Sequence, residues 1–359
     1  MAFQLEKFFL DVFAPQPDDV LTIMYDLPHD EIQDHPAWQE RREMATSWYQ
    51  QIKAFAQNYG VSVSPMVVYE ATDANARDLP EFGQRDGKEI RLEDVIKDST
   101  ILISMPQFSA TAPLLVLAQK YGHLRVASMP LVSKAMEETG LSADYNKIAR
   151  TCAHLALLFD QSKAIEVTFS TGHRCYFDKS DHKPARQDNG RLHPSETTFR
   201  LRNLPSGEVF VVPNESPNSK TMGEIPVSYR DEIAEFIVQG NRIIDVRGDG
   251  PIATQKRQEF HAEKALSNIA EVAIGCNDKA VVTGNVLEDE KAGFHWAYGR
   301  SEFLGGTVSP KDFSAPDKVL HQDIVYAKGN PIICDRFDFI FPDGTRNTAI
   351  VNGKLNIES

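Results

Sequence analysis

The first half of the chain alternates short apolar runs with longer stretches in which apolar residues recur at helical spacing. The short runs predict strands at Val20 to Tyr25, Val61 to Tyr69, Thr100 to Ser104 and Leu124 to Ser128. The longer stretches predict helices at residues 35–58, 92–97 and 110–121, and the polar run Thr72 to Asp86 predicts a loop. Strands joined by helices imply right-handed crossovers, and therefore a parallel sheet covered on both faces.

The second half begins with an amphipathic helix from Ser142 to about Gln161, after which the pattern changes to short strands separated by turn residues. The strands are predicted at residues 165–170, 174–177, 209–212, 235–238, 242–246, 319–327, 331–335 and 337–341. One helix is predicted from Ile252 to about Ala270, and a short one from Asp289 to His295. We therefore expect an α/β parallel-sheet domain over residues 1–162 and a mixed α+β domain over residues 163–359. The loop Asp178 to Glu196 is the alternative boundary.

Net charge and composition argue against several classes of binding partner. The formal net charge is −13 and no long basic run is present, which argues against nucleic acid and anionic membrane as partners. No stretch approaches the roughly 20 apolar residues needed to span a bilayer. The N-terminal residues lack the order of a signal peptide. The four cysteines are far apart in sequence, so we expect a reduced, cytoplasmic protein.

Two polar residues in a predicted strand give the first candidate site. His321 and Asp323 lie two apart in the run Val319 to Ala327, so their side chains point to the same face. A solvated His–Asp pair on a surface strand is the alternative. Imidazole and carboxylate are both common ligands of divalent metals, and the pair therefore predicts one end of a metal site.

Two glutamates have strongly apolar neighbours. Glu271 lies between Ile269 and Ile274, and Glu208 precedes a Val-Phe-Val-Val run. A buried carboxylate without a partner is costly, so each of them needs a cation. A metal is one choice, and a buried arginine such as Arg202 or Arg247 is the other.

His295 completes the set, although a histidine in this setting is more often packed in the core than bound to a metal. Three carboxylates and two neutral imidazoles carry about −3, which one divalent ion cannot balance and two can. The residues therefore predict two metal ions. Glu208 or Glu271 would bridge them or move the proton of a metal-activated water.

The order of these residues resembles the thermophilic metalloaminopeptidase family of the aminopeptidase T, aminopeptidase S and PepS type. The matching segments are Leu-Pro-Ser-Gly-Glu-Val-Phe from residue 204, Glu-Val-Ala-Ile-Gly from 271, Asp-Glu-Lys-Ala-Gly-Phe-His-Trp-Ala-Tyr-Gly from 289, and His-Gln-Asp from 321. The resemblance covers residues 163–328 well.

The resemblance implies an aminopeptidase T-like fold and a homodimer that cleaves N-terminal peptide bonds or small-molecule amides. It also implies two divalent ions (Zn, Co or Mn) held by Glu208, Glu271, His295, His321 and Asp323. In one respect the chain departs from the family, because Glu302 stands where the family has a tyrosine near the metals. Glu302 could instead recognise the substrate amine, which makes it a third catalytic candidate beside Glu208 and Glu271.

The chain also resembles the 2,5-dihydroxypyridine dioxygenases, which hold a single iron with two histidines and one aspartate. That branch has a histidine at the position of Glu271, which favours the metallohydrolase. A non-haem Fe(II) enzyme that cleaves a hydroxylated aromatic or pyridine ring, with His295, His321 and Asp323 as ligands, is the alternative. A non-enzymatic relative with a structural metal is a third hypothesis.

Overall fold

A computed structural model describes residues 3–75, 77–196 and 200–357. The chain divides into two compact units. The first comprises the described residues up to Ala149 together with Asp188–Ser206 and Asp278–Ala280, and the second comprises Arg150–Gln187, Gly207–Asn277 and the described residues from Val281 onward. The boundary between the two units at residues 149 and 150 lies within the helix Tyr145–Gln161. The boundary after residue 162 and the aminopeptidase T-like organisation stay predictions.

The first unit contains an eight-stranded sheet. Its order is Leu201–Asn203, Arg125–Ser128, Ile101–Ser104, Val20–Leu27, Val67–Glu70, Phe82–Arg85 and Lys88–Arg91, with Ser62–Val63 also paired to Val20–Leu27. The pairs from Leu201–Asn203 to Val67–Glu70 are parallel, and the last two are antiparallel. The helices of this unit are Leu5–Phe13, Pro36–Phe55, Leu92–Asp98 and Thr111–Lys120, with short 3₁₀ turns at Ala56–Tyr59, Lys134–Glu137 and Gly140–Ser142.

Two sequence-based predictions in the first unit need correction. The strand expected over Val61 to Tyr69 is split into Ser62–Val63 and Val67–Glu70, because Pro65 between them has no N–H for the ladder. The loop expected over Thr72 to Asp86 ends in a β-hairpin. Its turn is Asp86-Gly87, where both residues have positive φ, as a two-residue hairpin turn requires.

The second unit contains two sheets. The larger has eight strands in the order Arg242–Arg247, Glu232–Gln239, Met222–Tyr229, Arg174–Asp178, Ala164–Phe169, Cys334–Ile340, Arg346–Val351 and Lys354–Leu355. The smaller, which we call the site sheet, has the order Arg186–Asp188, Glu208–Val211, Ile269–Gly275, Phe294–Gly299 and His321–Val325. Helices Pro251–Ala262 and Val286–Asp289 and the 3₁₀ turns Lys264–Ser267, Glu290–Ala292, Glu302–Leu304, Pro310–Asp312 and Pro316–Lys318 complete the unit.

Two helices of the second unit were predicted too long. The one expected from Ile252 to Ala270 ends at Ala262, and Ile269–Gly275 is a strand in which every residue is buried. A strand buried on both faces is largely apolar, and its periodicity does not distinguish it from a buried helix. In place of the short helix expected from Asp289 to His295, the chain has the helix Val286–Asp289 and the 3₁₀ turn Glu290–Ala292. The alternating aromatic residues of Phe294–Gly299 form a strand instead, and this strand carries His295.

Among the described residues, no helix combines the length and the apolar character that crossing a bilayer requires.

Candidate metal centre

The centre of the site sheet brings three of the candidate residues together. Glu271 and Asp323 both lie opposite Ala297, one on each neighbouring strand. His321 lies opposite Gly299, two residues further along. Paired residues of an antiparallel sheet share a face, as do residues two apart on one strand, so all three polar side chains project from the same face. The small side chain of Ala297 leaves the space between the two carboxylates open.

The other two candidates project from that face as well. His295 lies two residues before Ala297 and opposite Ala273. Ala273 is also paired with Phe210, two residues after Glu208. The side chains of Glu208 and His295 therefore share a face with Glu271. The strand register therefore places these five residues on one face of the site sheet, although they span more than a hundred positions of the sequence.

Glu271, His321 and Asp323 form the first of two groups, which we call the acid–imidazole triplet. The Nε2 atom of His321 lies 3.2 Å from Glu271 Oε2 and 3.5 Å from Asp323 Oδ1. Its Nδ1 lies 2.7 Å from the carbonyl oxygen of Arg300. When Nδ1 donates to that carbonyl, Nε2 is left free to act as a ligand, which is a common arrangement for metal-binding histidines.

Lys291, Glu208, Glu290 and His295 form the second group, which we call the lysine cluster. Lys291 is fully buried, and its ammonium donates to Glu208 Oε1 at 2.7 Å and to Glu290 Oε1. His295 Nε2 lies 3.3 Å from Glu208 Oε2 and 3.7 Å from Glu271 Oε1, so it stands between the two groups. The contact with Glu208 has the distance of an ion pair but not the geometry of a hydrogen bond, and Glu208 Oε2 is buried without one.

Burial and charge act in opposite directions on the pKa values of these groups. Burial raises the pKa of Glu208, but the charges of Lys291 and His295 outweigh it and bring the pKa to about 2. Burial also raises the pKa of Glu290, to about 8, and here the nearby ammonium does not offset it. Burial opposes a charge on His321, yet Asp323 and Glu271 raise its pKa well above the usual value. A divalent cation would relieve the crowding of these carboxylates.

Lys291 and Glu290 were missed by the sequence analysis. The sequence named Arg202 and Arg247 as possible cations for the buried glutamates. Arg202 instead lies 3.6 Å from Asp188, and Arg247 forms an exposed pair with Glu224. The pattern of apolar residues does not indicate that Lys291 is buried at the site, because Lys291 lies in a 3₁₀ turn between a helix and a strand.

Glu302, the third catalytic candidate, lies outside both groups. Its carboxylate accepts hydrogen bonds from Arg300 Nε at 2.8 and 2.9 Å. The ring of Phe303 stands edge-on to the ring of His321, with centroids 5.1 Å apart. The segment around Glu302 therefore borders the triplet through Phe303 and Arg300.

The donor atoms of the triplet fit a divalent metal ion. One ligand atom from each of Glu271, His321 and Asp323 lies within 4.8 Å of the others, and the same holds for Glu208, Glu290 and His295. Carboxylate oxygens with imidazole nitrogen suit Fe(II), Mn(II) and Zn(II). In the second group, however, the ammonium of Lys291 already contacts two of the carboxylates.

No family model matches the sequence, and no curated protein matches it. Among solved structures, the chain is similar to 2,5-dihydroxypyridine dioxygenase from Pseudomonas putida KT2440. The TM-score is 0.63 at 15% sequence identity, and the match covers 99% of this chain and 97% of that one. This likeness shows the fold.

The comparison corrects the leading functional prediction. The sequence favoured a metallohydrolase of the aminopeptidase type, but the structure that matches over nearly the whole chain is a dioxygenase. The hydrolase, metalloprotease and aminopeptidase assignments are therefore wrong on this evidence. The second branch of the resemblance, to the dihydroxypyridine dioxygenases, is supported by the fold.

Proposed function

We propose that this chain is a non-haem Fe(II) oxygenase that acts on a hydroxylated aromatic or pyridine ring, with one metal ion held by Glu271, His321 and Asp323. The observation that carries the proposal is the acid–imidazole triplet, whose three donors converge on one face of the site sheet. Bound there with open positions, Fe(II) would supply the binding and activation of O₂ next to the substrate. The likeness of the whole chain to a dioxygenase supports this chemistry over hydrolysis.

Charge balance supports one ion. Glu271 and Asp323 carry two negative charges, which one divalent ion neutralises. The sequence-based estimate of about −3 counted Glu208 as unpaired, but Lys291 pairs with it at 2.7 Å. Glu290, whose pKa is raised to about 8, adds little negative charge at neutral pH.

The proposed ligand set differs from the one that the sequence suggested for an oxygenase. That set contained His295 together with His321 and Asp323. The Nε2 atom of His295 is closer to Glu208 than to Glu271, at 3.3 Å against 3.7 Å. Its pKa is also well above the usual value, because Glu208 and Glu271 outweigh the effect of burial. Because one ligand atom from each of Glu271, His321 and Asp323 lies within 4.8 Å of the others, we assign the third ligand position to Glu271.

The residues beside His321 suit a planar substrate. Phe303 is 48% exposed, and an exposed aromatic side chain offers a face on which a ring can stack. The guanidinium carbon of Arg300 lies 5.3 Å from the centre of that ring and is bound by Glu302. We therefore assign Phe303 to contact with the ring of the substrate. Homodimer formation, implied by the resemblance alone, stays a prediction.

Chelation is the first test of the metal site. Removing the ion from protein purified without oxygen should lower the melting temperature, because an ion that binds only the folded state stabilises it by about 2.7 kcal/mol at a hundred times its Kd. For a unit of this size that corresponds to roughly 5–10 °C. Differential scanning fluorimetry before and after chelation measures the shift, and added Fe(II) or Mn(II) should restore it. An unchanged melting temperature after complete metal removal would exclude the site.

A further inference from the structure

We propose that Lys291 sets the number of metal ions in this site: its buried ammonium takes the place of a second divalent ion, and without it Glu208, Glu290 and His295 become a second metal site. This inference rests on the proposed function, since it assumes that the triplet holds the first ion. It makes Lys291 a residue that determines metal stoichiometry, a role that neither the fold likeness nor the sequence motifs assign.

The backbone fixes the ammonium in position. Lys291 lies in the 3₁₀ turn Glu290–Ala292, which packs directly against the end of the strand Ile269–Gly275. The Asn277 N–H donates to the carbonyl of Lys291, and the Gly275 N–H donates to that of Gly293. A Cβ atom at Gly275 would lie 2.3 Å from the carbonyl oxygen of Glu290, so a larger residue there would push the turn away. The side chain of Lys291 is therefore directed into the cluster by its local fold.

The groups around the ammonium are those that a metal ion would use. Two carboxylates and an imidazole place one ligand atom each within 4.8 Å of one another. Glu208 and His295 are more than nine-tenths buried, and Glu208 Oε2 makes no hydrogen bond. A buried carboxylate oxygen that accepts no hydrogen bond is costly, and its lone pairs are available to a metal ion.

The charge of the ammonium explains why one ion suffices. Lys291 contacts Glu208 and Glu290 together, as a bridging cation would. A second divalent ion brought next to a fixed positive charge in a buried site would be strongly repelled. Replacing the lysine with an uncharged side chain removes that repulsion. It also leaves the buried carboxylate of Glu208 without its cation, which increases the affinity of the cluster for a divalent ion.

The test is a count of metal ions in the full-length Lys291→Met variant, since methionine is a long, unbranched, uncharged side chain. We expect anaerobic titration with Mn(II), followed by elemental analysis, to give one ion per wild-type chain and two per variant chain. The double variant Lys291→Met/Glu208→Gln should return to one ion, because a carboxylate of the second site is gone. Lys318→Met, which removes an exposed lysine of the same unit, should stay at one ion.

Each outcome of the metal count either supports or contradicts the proposed role of Lys291. Two ions on the wild-type protein, or one ion on Lys291→Met, would overturn the role of Lys291 while leaving a metal site in place. No ion on the wild-type protein would refute the proposed function itself, so the two failures are distinguishable. If the variant folds only in the presence of Mn(II) and then holds two ions, the proposal is supported. A variant that stays unfolded in excess Mn(II) contradicts it, because the ion should replace the missing charge.

Discussion

Replacing His321 with alanine should lower the affinity of the protein for Fe(II) or Mn(II) by about 100-fold or more. Loss of a group that merely orients a ligand already costs roughly 10–100-fold in metal affinity, and His321 is the imidazole ligand itself. The variant also leaves Glu271 and Asp323 facing each other without the imidazole between them. Isothermal titration of the metal-free protein with Mn(II) under anaerobic conditions measures the change.

A matched control is available in the same unit. His173 lies just before the strand Arg174–Asp178 and contacts Thr171 and Glu235, far in sequence from the triplet. His173→Ala should bind Mn(II) as the wild-type protein does. Equal affinities of His321→Ala and His173→Ala for the ion would show that His321 is not a ligand.

Metal affinity should also rise steeply with pH. In the metal-free protein burial opposes protonation of His321, but Asp323 and Glu271 raise its pKa well above the usual value, so the imidazole keeps its proton to a higher pH than a free histidine does. Metal binding requires the neutral ring and therefore releases that proton. The apparent affinity should rise about tenfold for each pH unit, up to the pKa of His321. Mn(II) titrations at pH 6, 7 and 8 should show this slope, and a pH-independent affinity would contradict it.

The same proton links pH to the stability of the metal-free protein. A pKa that is raised in the folded state contributes stability that is complete below the unfolded value of 6.5 and is lost as the pH rises through the folded value. Metal-free protein should therefore melt at a lower temperature at pH 8 than at pH 6. Metal-loaded protein should show a smaller loss, because the ion replaces the proton between the carboxylates.

The sequence pattern was sufficient to predict features that depend on one strand or on residues close to it in sequence. The strand containing His321 and Asp323 was expected over Val319 to Ala327, because that segment is short, β-branched and largely apolar, and it is observed at His321–Val325. The burial of Glu208 and Glu271 was expected from their apolar neighbours and is observed. Both inferences depend only on residues within a few positions of the side chain, which is the range over which periodicity carries information.

The balance of positive and negative charges at the site could not be predicted from local sequence patterns. Lys291 reaches Glu208 across 83 positions of sequence, through a turn with no periodic signature. The sequence therefore identified Glu208 and Glu271 but not the ammonium that lies beside Glu208. The functional branch was predicted wrongly, because Glu271, which stands where the dioxygenases have a histidine, was taken to favour the hydrolase. Only the tertiary arrangement shows which acids remain unpaired.

The fate of molecular oxygen distinguishes the proposed Fe(II) oxygenase from a hydrolase. Protein loaded with Fe(II) is mixed with hydroxylated substrates such as 2,5-dihydroxypyridine and 2,5-dihydroxybenzoate under ¹⁸O₂, and the products are analysed by mass spectrometry. We expect a ring-derived product that carries both atoms of the labelled oxygen, with no turnover in protein from which the metal has been removed. A product whose new oxygen comes from water, or iron-loaded protein that consumes no O₂ with any of these rings, would contradict it.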